Sequence, residues 1–157
     1  MSVWRHLRAI GLCPAVVIVV VPGIIVWTSG AELAGWALAV PGAFLIAVGL
    51  ALVGWTVGLF ATEGEGTLAP WDPTARLVIR GPYRFVRNPM IGGVFLVLLG
   101  EAALFGSPAI LIWLVAVIAV NTMYIPLVEE PGLRRRFGEE YDAYCRAVPR
   151  WLPRVLS

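Results

Sequence analysis

The sequence predicts an all-α integral membrane protein, with four transmembrane helices followed by a C-terminal amphipathic helix on the cytoplasmic side. Three observations predict it. The chain is 59% hydrophobic, with a mean hydropathy of +0.84, where soluble domains are about 45–50% apolar. Its apolar residues gather in four long runs that carry almost no charge. All 12 basic residues are arginine, and they cluster beside those runs. The 157 residues make a single membrane domain, 1–157.

The first run, 11–28, follows Arg5 and Arg8. It is longer than a signal-peptide core, no small-x-small site follows it, and Cys13 stands near its start, not after it. A retained membrane helix is expected. The second run, 36–61, contains Gly54-x-x-x-Gly58. In lipid that spacing lets helix backbones approach closely. Packing within the chain is the expected use, with a dimer contact as the alternative. The third run, 90–105, falls short of the roughly 20 residues of a spanning helix and carries Glu101. It is expected to cross at a thin place or to lean on its neighbours. Gly106-Ser107-Pro108 then turns tightly into the fourth run, 108–128, making a helical hairpin.

The arginines set the orientation. They lie at 5 and 8, at 76, 80, 84 and 87, and at 134–136, 146, 150 and 154, while the turns at 30–35 and 106–108 have none. Four crossings put every arginine on one side, and the positive-inside rule makes that side cytoplasmic. Both termini and the functional face are therefore expected in the cytoplasm, in the inner (cell) membrane of a prokaryote.

Near its end the fourth run acquires Asn121, Thr122 and Tyr124. Asn121, Tyr124 or Ile125, and Val128 share one helical face. Pro126 removes a backbone donor and leaves the Thr122 carbonyl without a helical partner. A polar stripe on a loosened backbone is expected to face protein or a cavity. In the tail, 132–146, Leu133, Phe137, Tyr141 and Tyr144 recur at helical spacing. Arg135–Glu139 and Arg136–Glu140 are i, i+4 pairs, worth only a few tenths of a kcal/mol each. Pro149 and Pro153 end the helix, and Trp151 is expected to anchor at the interface.

The stretch with the densest chemistry is RGPYRFVRNP, Arg80–Pro89, at the entry of the third run. Three arginines alternate with Tyr83 and Phe85, and Pro82 and Pro89 keep the stretch from running on as helix. The loop before it, from Thr62, has no helical period; its 77–79 segment, Leu-Val-Ile, is expected to dip into the interface. Glu129 and Glu130 follow the fourth run. The hairpin makes these two polar ends neighbours. Cations on one wall and carboxylates on the other suit a ligand of mixed charge, or else Arg84 or Arg87 pairs with Glu129 or Glu130 for structure alone. His6, Cys13 and Cys145 are too scattered for a metal site, and no metal is expected.

Two stretches, GTLAPWDPTARLVIRGPYRFVRNPM and EEPGLRRRFGEEYDAYCRAVPRWLPR, flank the hairpin. In this order and spacing they resemble the membrane methyltransferases of the isoprenylcysteine carboxyl methyltransferase and phospholipid methyltransferase group. The resemblance covers roughly 66–154 and leaves the two N-terminal helices, 1–61, aside. It implies that 62–157 is the catalytic part and that S-adenosylmethionine is the cofactor. It also implies that Gly81, Pro82, Tyr83, Arg84, Asn88, Pro89, Met90, Glu129 and Tyr141 hold the cofactor, with Arg87 and Glu130 catalytic. Arginine suits the cofactor's carboxylate, and a glutamate suits its ammonium or ribose hydroxyls. Tyr83, Tyr141 or Phe137 suits the adenine or the sulfonium.

Many members of the group have His where this chain has Asn88. Asn does not titrate near neutral pH, which argues against a base at this position. The implied partners are membrane lipids and a lipophilic small-molecule or lipid substrate entering from the bilayer, not nucleic acid. Prenylated protein, phospholipid amine, quinone-like lipid and fatty acid all fit as acceptors. The competing reading is a non-catalytic membrane protein that binds anionic lipid or a protein partner through its Arg-rich face. A transporter is disfavoured because no inverted repeat is evident.

Overall fold

An uncharged apolar run in lipid must satisfy its backbone internally, and a helix does so. The computed structural model describes residues 14–63 and 77–153, and no strand occurs among them. Expectations resting on Arg5, His6, Arg8, Cys13, the loop from 64 to 76 with Arg76, and Arg154 lie outside the described residues.

Helix α1 (Val16–Ser29) opens with a π turn over Val16–Val20 and stops at Gly30, whose φ of 63° ends the helix in a left-handed cap. Helix α2 spans Trp36–Glu63. Helix α3 (Pro89–Leu104) and helix α4 (Pro108–Tyr124) each start on a proline, the position where a missing N–H costs nothing. The Ser107 hydroxyl accepts from the Ile110 amide at 3.4 Å and caps α4. Helix α4 continues through a π turn, Ile125–Glu129, into α5 (Glu130–Phe137), and α6 (Glu139–Ala147) follows. Two helical stretches, Trp36–Leu59 and Pro108–Phe137, are long and apolar enough to cross a membrane; α1 and α3 are shorter apolar helices.

Helices α2 and α3 meet through glycines. A Cβ on Gly100 would sit 2.6 Å from the Gly42 carbonyl oxygen, and one on Gly49 would sit 2.7 Å from that of Gly93. Only hydrogen fits there. The expected packing pair Gly54 and Gly58 is not this seam, since a Cβ on either would meet nothing within 4 Å. Five residues beyond Gly49 a helix has turned about 140°, and nine residues beyond it about 180°, so both glycines point away from α3.

Ile18, Val94, Val97, Leu98, Leu114 and Val117 form a core where α1, α3 and α4 converge. The Trp113 indole donates to the Val17 carbonyl at 3.0 Å and ties α4 to α1. The outer faces of α1, α2 and α4 are apolar, with Trp27 and Trp36 83% exposed and Ile112 and Leu127 70% exposed. An outer surface of that kind faces lipid.

The tail differs from the single helix expected over 132–146. It breaks at Gly138, where φ is +53° and ψ is −127°, a conformation glycine adopts without penalty. The exposed ion pair Arg134–Asp142, 2.8 Å, spans the break. Both halves still present one stripe: Tyr141, Tyr144 and Val148 are buried together, with Leu133, Phe137, Cys145 and Leu77 packed against them. Leu77 and the buried Val78 thus turn into protein rather than into the interface. Trp151 does likewise, stacking on Phe95 of α3 with centroids 5.6 Å apart.

The stripe expected at the end of α4 is also divided. Asn121 donates to the Val117 carbonyl at 2.8 Å and Thr122 to the Ile118 carbonyl at 2.7 Å. Ile125 is buried, while Tyr124 and Val128 are exposed. The π turn adds a residue to the hydrogen-bonded ring, so Val128 no longer shares the face of Asn121.

Candidate active site at the hairpin mouth

The entry of α3 is shaped by prolines. A 3-10 turn, Gly81–Arg84, carries Pro82 and Tyr83 into the interior. Gly81 has φ +54°, and a Cβ there would meet Leu59 Cδ1 at 2.9 Å, so this turn sits hard against α2. After α6 the chain doubles back over the same entry. The Arg87 amide donates to the Pro149 carbonyl at 2.9 Å, and Asn88 Nδ2 donates to the Arg150 carbonyl at 3.4 Å. The segment 148–151 is therefore a strap across the mouth of α3.

Three charged side chains meet beneath it. Glu130 is the first residue of α5, and its side chain is 7% exposed. Its Oε1 accepts from Arg87 Nη1 at 2.9 Å and from Arg150 Nε at 2.8 Å, and its Oε2 accepts from Arg150 Nη2 at 2.9 Å. Arg150 grips the carboxylate with two nitrogens and Arg87 with one. Arg87 Nη1 also contacts Cys145 Sγ at 2.9 Å. Arg87 Nε is buried without an acceptor. Glu130 holds the Arg150 guanidinium firmly protonated.

Three phenols surround this group. Burial pushes the Tyr141 hydroxyl up, and its hydrogen bond with Cys145 adds to that. Burial also raises Tyr144, against the opposing charge of Arg87. Tyr83 is raised by burial first, then by Tyr144 and Glu129. All three stay neutral at physiological pH; the Tyr141 hydroxyl also accepts a hydrogen bond from Arg87, which opposes its shift.

Of the residues singled out in the sequence, Arg87, Glu130 and Tyr141 converge, and Asn88 fixes the strap beside them. Pro82, Tyr83 and Pro89 are buried in the wall, Gly81 and Met90 are half-buried, and Arg84 is exposed. Glu129 is exposed while its neighbour Glu130 is buried, because adjacent helical residues point about 100° apart. Sequence reasoning missed Arg150 and Cys145. Arg150 was legible only as one of a cluster of topology-setting arginines.

The mouth so described joins an Arg-Asn-Pro helix start, a glutamate after the hairpin and a tail helix. The family described as phospholipid methyltransferase matches residues 36–140. The chain belongs to that family. No curated protein matches the chain. The phospholipid methyltransferase match runs from the start of α2 to the start of α6. It includes Arg80–Pro89, Glu129 and Glu130, whereas Tyr141, Cys145 and Arg150 lie beyond it. The family and the apolar helices together make this a membrane methyltransferase.

Proposed function

We propose that the protein transfers a methyl group from S-adenosylmethionine to a lipophilic acceptor at the mouth formed by Arg80–Pro89, Glu130 and the tail. In this reading α1 to α4 all cross the inner membrane, both termini are cytoplasmic, and α5 and α6 lie amphipathically on that side. The observation that carries it is the Arg87–Glu130–Arg150 cluster with its buried, acceptor-less Arg87 Nε.

The donor set fits the cofactor. Arg87 suits the carboxylate, because a guanidinium edge matches it in shape and charge. The Glu130 Oε2, with one bond made here, has capacity left for an ammonium or a ribose hydroxyl. The Tyr141 phenol supplies a neutral donor and an aromatic face. Pro82, Tyr83, Pro89 and Met90 form the wall. When bound, the cofactor supplies an electrophilic methyl carbon on a sulfonium.

The side chains then hold donor and acceptor in line, which is most of what methyl transfer requires. A carboxylate acceptor needs no proton removed. For an amine acceptor the proton goes to Glu129, since Glu130 already balances two guanidinium groups. Glu129 follows Leu127 and Val128, exposed apolar residues of the lipid-facing surface, so an acceptor arriving sideways from the bilayer meets it.

The test is calorimetric titration of S-adenosylmethionine into the purified protein in detergent. Micromolar binding is expected, and absence of binding would overturn the reading.

A further inference from the structure

The charges in direct contact around Glu130 do not balance. Two guanidinium groups face one carboxylate, Glu130. A purely structural pair needs one arginine, and Arg150 alone already engages both carboxylate oxygens. Arg87 reaches Oε1 with Nη1 only, and its Nε is buried without an acceptor. Burying a cationic donor unpaired is costly, so a site that keeps one has a use for it.

We infer that Arg150 is a positioning residue: it takes up the charge of Glu130 and so leaves the Nε edge of Arg87 to bind a carboxylate ligand. Without Arg150, the Glu130 carboxylate turns both oxygens to Arg87 and neutralises it. The strap gives Arg150 its fixed position. The carbonyls of Pro149 and Arg150 accept from Arg87 N and Asn88 Nδ2, and Trp151 stacks on Phe95. Arg150 acts through Glu130 and need not touch the ligand. The inference deepens the functional reading above and rests on it for one of its two carboxylate sources. The carboxylate belongs either to the amino-acid end of S-adenosylmethionine or to the acceptor.

Two probe pairs separate the sources. S-adenosylmethionine is compared with decarboxylated S-adenosylmethionine, and palmitate with palmitamide, by titration into the protein in detergent. The wild type is expected to prefer the carboxylate member of one pair by about ten- to a hundredfold, the range of a lost charged hydrogen bond. Arg150→Met should collapse that preference to within about threefold, because Glu130 then competes for Arg87.

Arg150→Lys, which keeps the charge and loses the fork, should recover part of it. The double variant Arg150→Met/Glu130→Gln should recover most of it, since no carboxylate remains to be held off. Melting temperatures of all variants are read alongside; a merely structural Arg150 would move them and leave the preference ratio alone.

An unchanged ratio in Arg150→Met, or no carboxylate preference in either pair, overturns the inference. Wild-type binding of S-adenosylmethionine with an unchanged ratio leaves the functional reading standing and removes Arg150 from it. Preference in the palmitate pair alone, with no S-adenosylmethionine bound, keeps the carboxylate site and removes the cofactor.

Discussion

The Tyr144 hydroxyl donates to the backbone carbonyl of Tyr83 at 2.7 Å, across 61 residues of sequence. It fastens α6 to the 3-10 turn at the entry of α3, and both residues are buried. The tail is thereby one wall of the mouth. Tyr144→Phe leaves a buried carbonyl without its partner and should cost about 1–2 kcal/mol. The check is the melting temperature in detergent, together with protease sensitivity near Gly138. Cleavage there should rise in the variant, and unchanged cleavage and melting would mean that the tail is held by something else.

The glycine seam makes a prediction in which position matters more than residue type. Gly100→Ala puts a methyl group against the Gly42 carbonyl oxygen, a backbone atom. Overpacking of that kind costs about 1–3 kcal/mol, and it should part α2 from α3. Gly54→Ala meets open space and should be neutral or slightly stabilising, since alanine is the better helix former. Equal thermal shifts for the two variants would contradict the seam.

Around Glu130 the three charges predict an asymmetry. Arg87→Met leaves Glu130 paired with Arg150, and the loss of stability should be small. Glu130→Gln leaves two guanidinium groups facing each other. That should cost about 2–3 kcal/mol, less than the roughly 3–5 kcal/mol of a fully buried broken pair, because the Arg150 side chain is 33% exposed. Paired melting curves of the two variants decide it. The reverse order would mean that Arg87, not Arg150, is the main partner of Glu130.

Glu129 and Glu130 are adjacent yet face differently, so their substitutions should separate by kinetic constant. Glu129→Gln should lower turnover on an amine acceptor by about a hundredfold or more, with cofactor affinity unchanged. On a carboxylate acceptor the same change should be silent. A fall in cofactor affinity instead would place Glu129 on the cofactor side.

Much of the fold was legible because lipid leaves few options. The run from Trp36 and the one from Pro108 start where α2 and α4 start, and Pro89 opens α3 one residue before the apolar run. The tail stripe of Leu133, Phe137, Tyr141 and Tyr144 packs as one cluster. The misses are physical. Gly54-x-x-x-Gly58 matched a known pattern, but the seam uses glycines seven residues apart, two turns of helix, at 42, 49, 93 and 100. The break at Gly138 left no mark on the stripe because both halves keep its phase. Arg150 was hidden because its partner Glu130 lies 20 residues away, and only the strap brings the two together.

The orientation rests on arginine placement alone and has its own test. Reporter fusions within the turn 30–35 and after Pro153 should report opposite sides, the first outside and the second cytoplasmic. A cytoplasmic signal from the turn would undo the four-crossing topology and the shared mouth with it.

The most direct test of the central claim is transfer of label from methyl-labelled S-adenosylmethionine. The purified protein is incubated with a membrane lipid extract, and the extracted lipids are read by mass spectrometry. A labelled lipophilic product is expected with the wild type, reduced at least about tenfold with Arg87→Met, in line with one lost charged hydrogen bond. No labelled lipid above the protein-free control, or equal label with Arg87→Met, would contradict the account.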